Sequence, residues 1–199
     1  MDPWLRASLV GGVFAGLAGL LVFTLLHVAL VGPLWVLLLV GFLPAVAGGA
    51  VVGWAFHVLA GHGKLPARPL QGPAFGALMW LTLVPLELLA LSRGPVPGAT
   101  PLDAMRHVGP EVLLPALAGM LAGWALTQDL RASALLGLAS LALALPVAGT
   151  LVALGAGGLG PSIFAGMLLV DGVAGFVLAE VRPMLAKPAL SGPEARPGG

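Results

Sequence analysis

Two long stretches of the chain carry no charged residue at all, from Ala7 to Gly63 and from Ala132 to Val170. A single membrane crossing takes about 20 apolar residues, so each stretch has room for two. Each also contains one obvious break. In the first it is Gly32-Pro33, where a turn is cheap and the residue before proline disfavours helix. In the second it is the run from Gly155 to Pro161, with four glycines ahead of the proline. Two shorter apolar runs lie between them. The pattern predicts six helices, over about 7–30, 34–60, 73–92, 111–128, 132–155 and 162–182. The expected fold is all-α, a polytopic transmembrane helix bundle forming one domain over 1–186. The Pro- and Gly-rich tail, 187–199, reads as disordered.

Composition strengthens the membrane reading and removes others. Hydrophobic residues make up 59% of the 199 residues and charged residues 9%. Soluble domains carry about 25% charged residues, and there is too little polar material here to coat a globule. The mean hydropathy is +1.05. A net charge of +1 is no footprint for nucleic acid. With no cysteine there are no disulfides or thiolate metal sites. The 30 glycines are scattered through apolar runs rather than set at every third residue, which is a habit of packed membrane helices. The first apolar run is far longer than a secretory signal core, so it reads as an anchor.

Lys and Arg then orient the bundle. Arg6, Lys64, Arg68, Arg131, Arg182, Lys187 and Arg196 fall on one side of the six predicted crossings, and only Arg93 and Arg106 on the other. The positive-inside rule places both termini in the cytoplasm, in a plasma or inner membrane. Residues 93–110 become the only sizeable external loop.

Hydrophobicity does not hold helices together in lipid, so close packing must. Gly12 and Gly16, Gly49 and Gly53, and Gly119 and Gly123 are each spaced four apart on one helical face. They suit a tight bundle or a contact with a second subunit. Pro44, Pro85, Pro115 and Pro146 fall inside predicted helices two to five, where kinks are expected. The octet from Gly49 to Phe56 echoes the octet from Gly119 to Leu126, which would make helices two and four equivalent if the chain were duplicated. Trp35, Trp54 and Trp124 fall near predicted interfaces.

Candidate chemistry rests on a few polar residues at membrane depth. Asp171 sits about midway along the sixth helix, where a charge costs at least ~2.5 kcal/mol, so it must be neutral, paired or facing a wet interior. Glu87 lies in the outward half of the third helix, two residues after Pro85. Both are candidates for an ion or proton relay, with structural hydrogen bonding between helices as the other reading. His27, His107 and Glu111 all fall on the outer side and form a weak candidate metal site. His27 and His57 belong near opposite faces and do not suit one haem iron. His62 lies just beyond His57.

No phosphate loop, zinc-protease motif or nucleophile elbow occurs, so nothing recommends an enzyme and no cofactor is supported. Three functions fit these features. The first is a membrane subunit or scaffold packed against partner chains or further copies of itself in the lipid bilayer. The second is a small permease or ion-coupled transporter using Asp171. The third is a quinone- or haem-associated redox subunit.

Overall fold

The protein is described by a computed structural model over residues 2–30, 36–67, 69–93, 110–154 and 161–186, with side-chain surroundings given for 2–26, 41–67, 69–89, 110–144 and 166–186. Six α-helices make up the described residues: α1 (Pro3–Leu30), α2 (Val36–Gly61), α3 (Gln71–Arg93), α4 (Leu113–Thr127), α5 (Leu130–Leu154) and α6 (Pro161–Ala186). A 3-10 turn, Pro110–Val112, leads into α4. Spans within α1, α2, α3 and the Pro110–Thr127 segment are long and apolar enough to cross a bilayer, and α5 adds an apolar stretch over Leu130–Ala144. This is a multi-pass helical membrane protein.

Helix ends are set by local hydrogen bonding. The Asp2 carboxylate accepts the Trp4 N–H at 3.0 Å and caps α1, which therefore begins at Pro3 rather than near residue 7. At the end of α2, Gly63 takes a φ of 64°. Lys64 N–H then donates to Leu59 O and Gly63 N–H to Ala60 O, closing the helix with a left-handed glycine. Gln128 adopts the same hand at the end of α4. Asp129 starts α5 by accepting the Arg131 N–H at 2.9 Å. Pro115 falls in the first turn of α4, where a missing N–H has no intrahelical partner to lose, so the kink expected there has no cause. Helices α2 and α3 run on through Pro44 and Pro85. Helix α6 continues past Arg182 through Pro183, beyond the boundary expected from sequence.

Three helix pairs meet backbone to backbone. On α1, a Cβ added to Gly12 or Gly16 would collide with the main chain of Ala45, Gly49 and Gly53 on α2. On α3, Gly72 and Gly76 press in the same way on Asp171, Gly172 and Gly175 of α6. Between α4 and α5, Gly119 and Gly123 meet Ser133, Leu136 and Ser140, and Ser133 Oγ donates to Met120 O at 2.6 Å. Small residues thus face inward, while Phe14, Leu43, Leu121, Leu130 and Met184 stand exposed. A denser apolar core forms where α2, α3, α5 and α6 meet, around Phe56, Phe75, Met79, Leu136 and Leu178. The Phe56 and Phe75 rings pack edge to face at 5.1 Å.

Around the bundle the main neighbours run α1–α2–α5–α4–α3–α6 and back to α1, with α3 also touching α5. Exchanging α1, α2 and α3 for α4, α5 and α6 leaves this scheme unchanged apart from the α3–α5 contact. Three helices per half also make the two halves run in opposite directions. The correspondence pairs α1 with α4, not α2 with α4. The octet echo seen in the sequence does not follow it, because Gly49 and Gly53 pack back on the preceding helix while Gly119 and Gly123 pack on the following one.

Candidate functional site

One end of the molecule gathers most of the described charge. Arg182 Nη2 donates to His57 Nδ1 at 3.3 Å, which leaves the His57 Nε2–H facing the Asp2 carboxylate at 3.5 Å. The Arg182 guanidinium also lies over the rings of Trp4 and Phe56. His62 donates from Nδ1 to Val58 O and sets Nε2 3.6 Å from Asp129. These contacts bring the start of α1, the α2–α3 connection, the α4–α5 turn and the end of α6 to one end. Arg6, Lys64, Arg131 and Arg182 lie there together.

The interior handles its hydroxyls simply. Ser8 donates to Trp4 O, Thr24 to Leu20 O, Thr82 to Met79 O and Ser140 to Leu136 O, each on its own helix. A hydroxyl does this easily, because a helical carbonyl retains a second lone pair. A carboxylate cannot, because it needs donors and the helical N–H groups are already committed.

Two carboxyls are left stranded by that rule. Glu87 is fully buried on α3, and neither of its oxygens has a hydrogen-bond partner. Asp171 is 8% exposed, and its Oδ2 is likewise without a partner. Asp171 is the eleventh residue of α6, about 15 Å along the helix from Pro161. It lines a half-open cavity of about 120 Å³ between α1, α2, α5 and α6. Gly16, Leu20, Phe23, Pro44 and Met167 are among its walls, and Asp171 is the only polar side chain among the described lining residues.

Glu87 does not line this cavity. It follows Leu86 on α3; Leu83 and Leu86 cluster with Ala144, with Leu143 packed against them, and Leu143 is also a cavity wall.

The chain matches no family model, and no curated protein or solved structure is significantly similar to it.

The other sequence candidates are placed less completely. His27 lies in α1 with its side chain outside the described surroundings, and His107 falls outside the described residues. Glu111 sits in the 3-10 turn ahead of α4. Among the described residues no group of three His, Asp or Glu side chains is arranged to hold a metal. Gly12, Gly16, Gly49 and Gly53 meet one another across one seam, and Gly119 and Gly123 lie in a second. The third seam, through Gly72, Gly76 and Gly175, has no counterpart among the sequence candidates. Its signal was present all the same, since Gly72 and Gly76 have the same spacing of four as the others.

Proposed function

We propose that the protein is a small permease that moves protons or a cationic solute across the membrane, with Asp171 as its intramembrane carrier group. The observation that carries this reading is Asp171 itself, buried, lacking a partner at Oδ2 and lining a cavity between four helices. An ionised carboxyl at that depth costs at least ~2.5 kcal/mol, so within the bilayer it holds a proton or a cation. When the cavity reaches water at either face, that proton or cation can exchange. Glu87, buried on α3 with neither oxygen partnered, is a second candidate acceptor.

The neighbour scheme of the helices also fits. Many transporters are built from two halves of opposite topology around a midplane site. In this reading all six helices cross, both termini are cytoplasmic, and the charge-rich end is the inner one. The scaffold reading loses ground for a structural reason. The glycine faces that would receive a partner are filled by helices of the same chain. Among the described side chains, the histidines the redox reading would need are engaged, His57 by Arg182 and Asp2 and His62 by Val58 O and Asp129.

The test is proton flux into sealed liposomes carrying the full chain and a trapped pH-sensitive dye, driven by a potassium diffusion potential. Flux should exceed that of protein-free liposomes, fall at least about tenfold in Asp171→Asn, drop less in Glu87→Gln and persist in Asp129→Asn, which lies in the exposed α4–α5 turn. Equal flux in the wild type and Asp171→Asn would overturn the reading. A second chain recovered in fixed stoichiometry from gentle detergent would favour the scaffold instead.

A further inference from the structure

The chemistry of the cavity narrows what its occupant can be. A hydrated or stripped alkali or alkaline-earth cation needs a shell of several oxygens. The described walls offer one carboxyl, with no hydroxyl, amide or second acid beside it. An anion would meet that carboxyl unfavourably. A neutral polar solute such as a sugar would leave most of its hydrogen-bonding groups unmet against glycine, alanine and aliphatic side chains. What remains is a cation whose charge sits on one or very few N–H donors and whose remaining surface is apolar. The Asp171 carboxyl, which lines the cavity and has a buried Oδ2 without a partner, is a matching acceptor. The Phe23 ring and the aliphatic groups of Leu20, Met167 and Val170 match the body.

Size sets the rest. An apolar cavity of about 150 Å³ accommodates a molecule such as benzene, so one of about 120 Å³ suits an occupant of about five to seven heavy atoms.

We propose that the cavity between α1, α2, α5 and α6 binds a small protonated amine with an apolar body, tertiary in preference to primary, with its N–H donating to Asp171. The proposal deepens the carrier reading and rests on it for the meaning of the site. Binding itself is measurable without transport. The amine replaces the proton on Asp171: the ammonium N–H···O contact forms as the carboxyl proton leaves to water, and charge within the cavity stays neutral.

The test uses the purified full chain in detergent, titrated calorimetrically with N,N-diethylmethylammonium chloride. Ammonium chloride, sodium chloride and the neutral 3-pentanol serve as comparison ligands. Saturable binding of the tertiary amine is expected, with the three comparison ligands at least about tenfold weaker. Asp171→Asn should weaken the amine at least about tenfold, and Asp129→Asn, outside the cavity, should leave it within about threefold. Gly19→Leu is the second probe. A Cβ there meets only ordinary contacts with Val170 and Ala174, so the longer side chain enters the cavity and should abolish binding without closing a backbone seam.

Amine affinity unchanged in Asp171→Asn and Gly19→Leu, or equal affinity for 3-pentanol, overturns the proposal. The two readings can fail separately. Amine binding without flux in liposomes upholds this inference and removes the carrier. Asp171-dependent proton flux with no amine binding does the reverse.

Discussion

Single positions in this protein divide sharply by what a methyl group would meet. Gly76 and Gly172 lie on facing helices and look alike in the sequence. A Cβ at Gly76 runs into the main chain of Asp171 and Gly172, whereas one at Gly172 meets nothing within 4 Å. Gly76→Ala should therefore cost about 1–3 kcal/mol, as overpacking against backbone does. Gly172→Ala should be neutral or slightly stabilising, because alanine is the better helix former by about 1 kcal/mol. Chemical or thermal unfolding in detergent compares the two directly. Asp171 and Glu87 were legible at this scale as anomalies in apolar helices. Which one would line a cavity was not, because that depends on the rotation of α3 and α6 about their own axes. With so few polar positions along these helices, the sequence leaves that rotation open.

The helices themselves were legible almost throughout, because charge-free length and Gly-Pro breaks are one-dimensional signals. Their ends moved where a side chain or a turn intervened, as with Asp2 ahead of α1 and the 3-10 turn ahead of α4. Which helix would meet which was not legible. Glycine spacing marks a face for close approach without naming the partner, so the α3–α6 seam emerged only in three dimensions. Orientation is testable at this scale, because the chain has no native cysteine and single-cysteine labelling is unambiguous. An impermeant maleimide applied to intact cells should label Thr100→Cys, in the expected external loop. Lys64→Cys and Arg131→Cys should react only after permeabilisation. The opposite pattern would invert the bundle.

Across the whole molecule, the tight seams and the cavity beside Asp171 divide the work between them. Backbone contact along three glycine seams supplies packing that hydrophobicity does not provide in lipid. It leaves the space beside Asp171 lined by small and aliphatic groups. The near-exchange of the two halves places α3 and α6 in equivalent positions, and these are the helices that carry Glu87 and Asp171. Two stranded acids on exchanged helices are an expensive arrangement for a structure to retain without using them.

Dicyclohexylcarbodiimide reacts with protonated carboxyls that it reaches through lipid, and a water-soluble carbodiimide reaches those at the surface. Mass spectrometry of the protein in native-like membranes, treated with each reagent, tests the central claim most directly. The account predicts that the lipid-soluble reagent modifies Asp171, with Asp2 and Asp129 left to the water-soluble one. It also predicts that proton flux falls in step with modification of Asp171. An unmodified Asp171 alongside labelled Asp2 and Asp129, or full flux after its complete modification, would contradict it.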